Sequence, residues 1–260
     1  MENFVLSAPG LLFICVMVFF SGFVDSVAGG GGLISIPAYL FVGMPTHMAL
    51  GCNKLSASVG TAFAAGRYLH HGALDIKTAL LSALSSFIGS GLATKAALLI
   101  DGQKLKLILL VVLPFVAVFL LMKRNYGEHD RSAELSGKKS IILALLIGFL
   151  IGGYDGLLGP GTGTFAIIAY CALMRYDLKT ASGNAKILNL ASNCASAITF
   201  MAAGSVLYRA ALPAAICGIL GNYIGSGLAI KKGGKFIRPM MTAVICLLLG
   251  KMAFDLIGTF

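Results

Sequence analysis

Long apolar stretches separated by short polar ones run through the whole chain. Charge-free runs such as Ile187 to Tyr208 and Ala210 to Ile230 reach the roughly 20 residues that a helix needs to cross a bilayer. The pattern predicts first-half helices over 9–28, 46–66, 78–94 and 107–122, and second-half helices over 140–158, 187–203, 210–230 and 239–257. Each half also holds a shorter apolar stretch, 33–42 and 164–174. At about 1.5 Å per residue these are too short to span upright, and they read as half-helices or re-entrant limbs. Between the halves, Lys123 to Lys139 mixes Lys, Arg, Glu and Asp with few apolar residues, which marks a solvated linker. The expected fold is an all-α polytopic membrane protein. It has two four-span repeats, residues 1–122 and 140–260, joined by an aqueous linker over 123–139, and each repeat contains a Gly-rich broken or re-entrant helix.

The landmarks of the first half return in order in the second. Asp25 precedes four consecutive glycines, Gly29 to Gly32, and Asp155, 130 positions later, precedes Gly159-Pro160-Gly161-Thr162. Gly72 and Gly204 are 132 apart, and the hexapeptide Ile88 to Ala93 recurs unchanged as Ile224 to Ala229, 136 positions on. Collinear order points to an internal duplication. If each short limb re-enters beside four full spans the repeats are parallel, and if each crosses they are inverted. Gly costs about 1 kcal/mol and Pro about 3 inside a helix, so both clusters break the helices that carry them. Broken backbone at membrane depth is tolerated only where it is buried in protein or lines a cavity, and a matched pair of breaks points to a transport site.

Composition supports the membrane reading. The chain of 260 residues is 58% hydrophobic and 12% charged, half the roughly 25% charge of a soluble domain. Its net charge of +10 falls mostly in the loops, where Lys and Arg orient helices and meet anionic lipid. No basic patch is interleaved with aromatics, which argues against nucleic acid as a partner. The six cysteines form no Cys-x-x-Cys pair and read as small packing residues. The first apolar run lacks a basic leader and is expected to stay in the mature protein. His70, His71 and His129 have no ligands at metal spacing, so neither a metal nor a cofactor is expected. The glycine runs lack the strand–turn–helix frame of a dinucleotide fingerprint.

Two kinds of charge lie where chemistry is expected. Asp25 and Asp155 sit at the edges of apolar runs, where a carboxylate is costly unless paired or hydrated. They read either as anchors that cap the broken backbone or as coupling groups. Lys54 and Lys186 follow the short limbs at the start of small-residue spans. A lysine at a helix N-terminus is unfavourable alone and favourable for an anion, the alternative being a snorkelling interfacial lysine. Asn53, Asn184, Asn189, Asn193, Ser56 and Ser192 are candidate donors, or else bonds between helices.

These motifs, Asp25 with Ala28 to Gly32, then Asn53-Lys54, then Gly72 to Lys77 and the second-half copies with Asn184-Ala185-Lys186, resemble the sulfite exporter TauE/SafE family over nearly the full chain. The resemblance implies a secondary transporter, not an enzyme, that moves sulfite, thiosulfate, sulfonate or sulfoacetate across a bacterial inner membrane by alternating access. It implies an anion held by Gly30, Gly31, Gly32, Asn53, Lys54, Gly161, Thr162, Asn184 and Lys186. The expected partners are that anion, membrane lipid and a second copy of the chain in a homodimer. The competing readings are an intramembrane aspartyl protease built on Asp25 and Asp155, and a non-transporting membrane scaffold.

Overall fold

The computed structural model describes residues 4, 6–105, 107–108 and 127–243. The expected helix over 107–122, the start of the linker and the end of the expected last helix therefore lie largely outside the described residues. Within them the regular structure is helical, with no strand. The long elements are α1 (Ala8–Ala28), α2 (Gly32–Phe41), α3 (Thr46–His70), α4 (Ile76–Leu99), α5 (Gly137–Leu157), α6 (Thr162–Met174), α7 (Leu178–Ala202) and α8 (Tyr208–Lys232). A short 3₁₀ turn, Ser132–Glu134, precedes α5.

Local sequence accounts for most of the boundaries. Ser7, Asp75, Ser136 and Asp177 cap α1, α4, α5 and α7, each side chain accepting from a backbone N–H of the first turn. Gly29 ends α1 in the left-handed conformation, φ 76°, with its N–H returned to the Asp25 carbonyl. The Asp177 cap has a consequence for the site. It starts α7 at Leu178, so residues 178–186, which precede the expected helix over 187–203, are helix as well. Lys186 stands at the ninth position of α7, as Lys54 does in α3, more than two turns inside the helix. The expectation of lysines at helix N-termini is corrected accordingly.

Among the described residues four helices, α1, α4, α5 and α8, are long and apolar enough to cross a membrane. They present Leu12, Phe20, Leu84, Ile88, Leu146, Leu150, Ile216 and Leu220 outward. The polar residues of α3 and α7 are turned inward: Asn53, Lys54, Ser56 and Thr61 on one, Asn184, Lys186, Asn189, Ser192 and Asn193 on the other, all buried. An apolar outside around a polar inside is the arrangement that lipid imposes.

The two halves of the sequence interlock. α1 packs along α8 and α5 along α4, while α3 touches α8, α7 touches α4, and α3 and α7 touch one another. Small residues allow the close approach. A Cβ at Gly148, Gly152 or Gly156 of α5 would lie 2.1–2.5 Å from Ser85, Ser86 or Ser90 of α4. The order of contacts fixes direction. Ser82 of α4 donates to the Ala144 carbonyl of α5 and Thr94 to that of Gly156, so α4 and α5 are parallel. Ser86 and Ser90 donate to the Leu188 and Ser192 carbonyls, so α7 runs with them. Gly218 abuts Val18, and Gly225 abuts Ser26, so α1 and α8 are parallel, and Gly60 against Asn222 with Arg67 on the Tyr223 carbonyl adds α3 to that set. Gly51 against Phe200 and Asp75 against Asn184 set α3 antiparallel to α7.

α2 folds back beside α1: the Phe13 and Phe41 rings are 5.4 Å apart, and Val42 returns to Gly10. α6 folds back beside α5, where Glu134 just before α5 is ion-paired to Arg175 just after α6. The two hairpins meet at their tips, where the Gly163 N–H donates to the Gly29 carbonyl at 3.1 Å and the Thr164 hydroxyl to that of Ala28 at 2.6 Å.

The packing also fixes the register between the halves. A Cβ at Gly51 would lie 2.1 Å from the Ser205 carbonyl oxygen, and one at Gly183 2.0 Å from that of Ala73. A Cβ at Gly89 would meet the Phe149 carbonyl at 2.4 Å, and one at Gly221 that of Phe19 at 2.0 Å. These contacts match α3 to α7 and α4 to α8 at 132 positions and α1 to α5 at 130, so the identical hexapeptides of α4 and α8, at 136, lie one helical turn out of register.

Candidate functional site

Two lysines and two aspartates meet where the hairpin tips converge, and each pair joins opposite halves of the sequence. Lys54 of α3 contacts Asp155 of α5 at 2.7 Å, and Lys186 of α7 contacts Asp25 of α1 at 2.8 Å. Lys54, Lys186 and Asp155 are buried, and Asp25 is the most open of the four at 17% side-chain exposure. A buried charge without a partner is worth several kcal/mol of destabilisation, so these pairings hold the two halves in register. The two carboxylates differ in their other partners. Asp155 accepts the Thr162 hydroxyl at 2.8 Å, whereas Asp25 accepts the Gly31 N–H at 3.4 Å. Lys186 also donates to the Asp25 main-chain carbonyl.

Between the pairs lies a cavity of about 30 Å³, lined by Asp25, Gly29, Gly32, Ser35, Asn53, Lys54, Ala57, Asp155, Gly159, Thr162, Asn189 and Asn193. That is room for one or two waters. Gly32 and Thr162 are the first residues of α2 and α6. Two helix N-termini therefore open on the same cavity, which with two ammonium groups favours an anion.

Of the residues expected from sequence, Asp25, Gly32, Asn53, Lys54, Asp155, Thr162, Asn189 and Asn193 line this cavity. Lys186 enters the centre through Asp25. Gly30, Gly31 and Gly161 form the adjoining turns; Gly31 and Gly161 are the residues immediately before α2 and α6. Asn184 goes elsewhere: its Oδ1 accepts the Asp75 N–H at 2.9 Å. Its counterpart is Cys52, whose sulfur accepts the Leu207 N–H at 3.2 Å, and not Asn53. Both caps serve the residue that opens the next helix. Ser35, which donates to Asn53 Oδ1 at 2.6 Å, was not among the expected residues. Its place in the first turn of α2 beside the glycines was the available signal. Each aspartate is committed to a lysine, which is unlike the proton-sharing carboxylate dyad that a protease would need. No cluster of three or more metal-ligating side chains occurs among the described residues.

Outer apolar helices enclosing a polar, ion-paired centre define a helical membrane protein, and its relatives say of what kind. A probable membrane transporter protein of Sinorhizobium sp is 36% identical over 234 residues, covering 90% of this chain and 88% of that protein. One from Haemophilus influenzae is 35% identical, covering 91% and 92%. The probable membrane transporter protein YfcA of Escherichia coli K12 is 32% identical, covering 95% and 90%. The profile of the sulfite exporter TauE/SafE family matches residues 14–252, and the chain belongs to this family of membrane transporters. No solved structure matches it.

Proposed function

We propose that this chain is a secondary transporter that carries a small sulfur-containing anion (sulfite, thiosulfate, sulfonate or sulfoacetate) by alternating access, as a multi-pass protein of the bacterial inner membrane. The observation that carries the reading is the reciprocal pairing of Lys54 with Asp155 and Lys186 with Asp25 around one small cavity at two helix N-termini. A compact oxyanion needs several donors. Lys54, Lys186, Asn53, Thr162 and the glycine N–H groups at 30–32 and 161 would supply them once the halves move apart and the cavity widens.

The two halves, 1–122 and 140–260 about the linker at 123–139, are read as repeats of inverted topology. α1 and α3 run one way, and their counterparts α5 and α7 run the other. Each glycine break then makes a re-entrant hairpin, and rocking of the interlocked halves would expose the centre to either side in turn. Proteoliposome uptake of radiolabelled sulfite or sulfoacetate tests the reading. Flux should be present in the wild type and abolished in Lys54→Ala/Lys186→Ala; equal flux in that variant would refute the anion site.

A further inference from the structure

The site is electrically balanced as it stands, two ammonium groups against two carboxylates, and every anion that enters must displace a carboxylate already in place. Resting on the anion-transport reading above, we propose that the Asp25–Lys186 pair is the one that opens. Asp25 takes a proton from water, its carboxylate releases Lys186, and the ammonium takes the anion. The charge then balances at one proton for each single negative charge carried. Loss of that proton restores the Asp25–Lys186 contact and expels the anion, so anion and proton cross together.

The asymmetry between the pairs carries the assignment. Asp155 accepts the Thr162 hydroxyl, has Lys54 at 2.7 Å, and its side chain is only 5% exposed against 17% for Asp25. Around its side of the fold, Ser86 and Ser90 fill the space, and both hydroxyls are bonded to α7 carbonyls. At the positions equivalent to those serines, α8 has Gly218 and Asn222. There a second cavity of about 20 Å³, enough for one water, runs from Asp25 along α1, α3 and α8. Thr61 Oγ1 and Asn222 Oδ1 line it, belong to residues 1% and 3% exposed, and have no hydrogen-bond partner among the described residues. Two orphaned polar atoms in a water-sized space next to one carboxylate make a hydrated entry to that carboxylate. The charged and titratable groups facing Asp25 are Lys186 from α7, Lys54 and Tyr68 from α3 and Asp155 from α5. α8 offers Asn222 and α6 offers Thr162, both uncharged.

The test is accumulation of methanesulfonate, a monovalent anion whose charge does not change with pH, into proteoliposomes with an alkaline interior. Wild type should accumulate it about tenfold for each pH unit of gradient. Asp25→Asn should still exchange the anion but lose gradient-driven accumulation, whereas Asp155→Asn should exchange more slowly and keep it. Thr61→Val, nearly isosteric and bordering only the second cavity, should slow accumulation several-fold and leave exchange alone; it carries the test if Asp25→Asn does not fold. Accumulation retained in Asp25→Asn, lost equally in both aspartate variants, or unslowed in Thr61→Val overturns the assignment. Absence of any exchange by wild type overturns the transport reading as well, which separates the two failures.

Discussion

The turn at Gly29 and the turn at Gly159 reverse the chain at equivalent places under different constraints. Gly29 has φ 76°, and a Cβ there would lie 2.2 Å from the backbone of Gly163, so the tip of the first hairpin is pressed directly against the second. Gly159 has φ 93°, and its nearest neighbours would be Lys54 Nζ at 3.4 Å and the Asp155 carbonyl at 3.6 Å. The tight backbone accompanies the more open carboxylate, Asp25, and the roomier backbone accompanies the more buried one, Asp155. Equivalent positions in the two halves thus have different duties. One turn fixes the hairpins against each other, and the other leaves space beside a lysine.

Substitution at the two glycines should expose this difference most sharply. Gly29→Ala should yield no folded protein, because backbone cannot yield the space a methyl requires; size-exclusion profiles and thermal melts in detergent check this. Gly159→Ala should fold, with about 1–2 kcal/mol lost to the left-handed conformation. A normally folded Gly29→Ala would break the comparison.

The ion pairs should rank next. Lys54→Met leaves Asp155 charged, buried and without its cation, and should cost about 3–5 kcal/mol. Lys186→Met should cost less, because Asp25 borders the second cavity and can be hydrated. Denaturant titration of the two variants measures the gap, and equal losses would contradict the difference in environment. The smallest effects should come from the caps. Asn184→Ala strands the Asp75 N–H and should cost about 1–3 kcal/mol. Cys52→Ala removes only a weak sulfur acceptor and should shift the melting temperature less than Asn184→Ala does.

The apolar runs and glycine breaks placed the helices well, because lipid and helix propensity act over a few residues at a time. Asp25, Asp155, Lys54 and Lys186 stood out for the same reason, being charges at the edges of apolar runs. Their pairing was not legible. It depends on α1 lying against α8 and α5 against α4, contacts across the whole chain that leave no local pattern. Asn184 was drawn into the expected site by its nearness to Lys186, yet in register it matches Cys52 and caps a neighbouring helix. The repeated hexapeptide misled similarly. Gly-Ser-Gly serves close packing wherever small residues are needed, so its recurrence at 136 does not mark equivalent positions when the helices themselves are 132 apart.

The clasp between α1 and α8 also imposes an order on biosynthesis. The 180 positions from residue 28 to residue 208 separate the end of α1 from the beginning of its main neighbour. At ribosomal speed that is a delay of roughly 10 to 35 s. Within that interval Asp25 waits 161 positions for Lys186, and Lys54 waits 101 positions for Asp155, each a charge whose partner has not yet been made. The insertion machinery must shelter an incomplete protein whose polar centre is assembled only when late helices thread back among early ones.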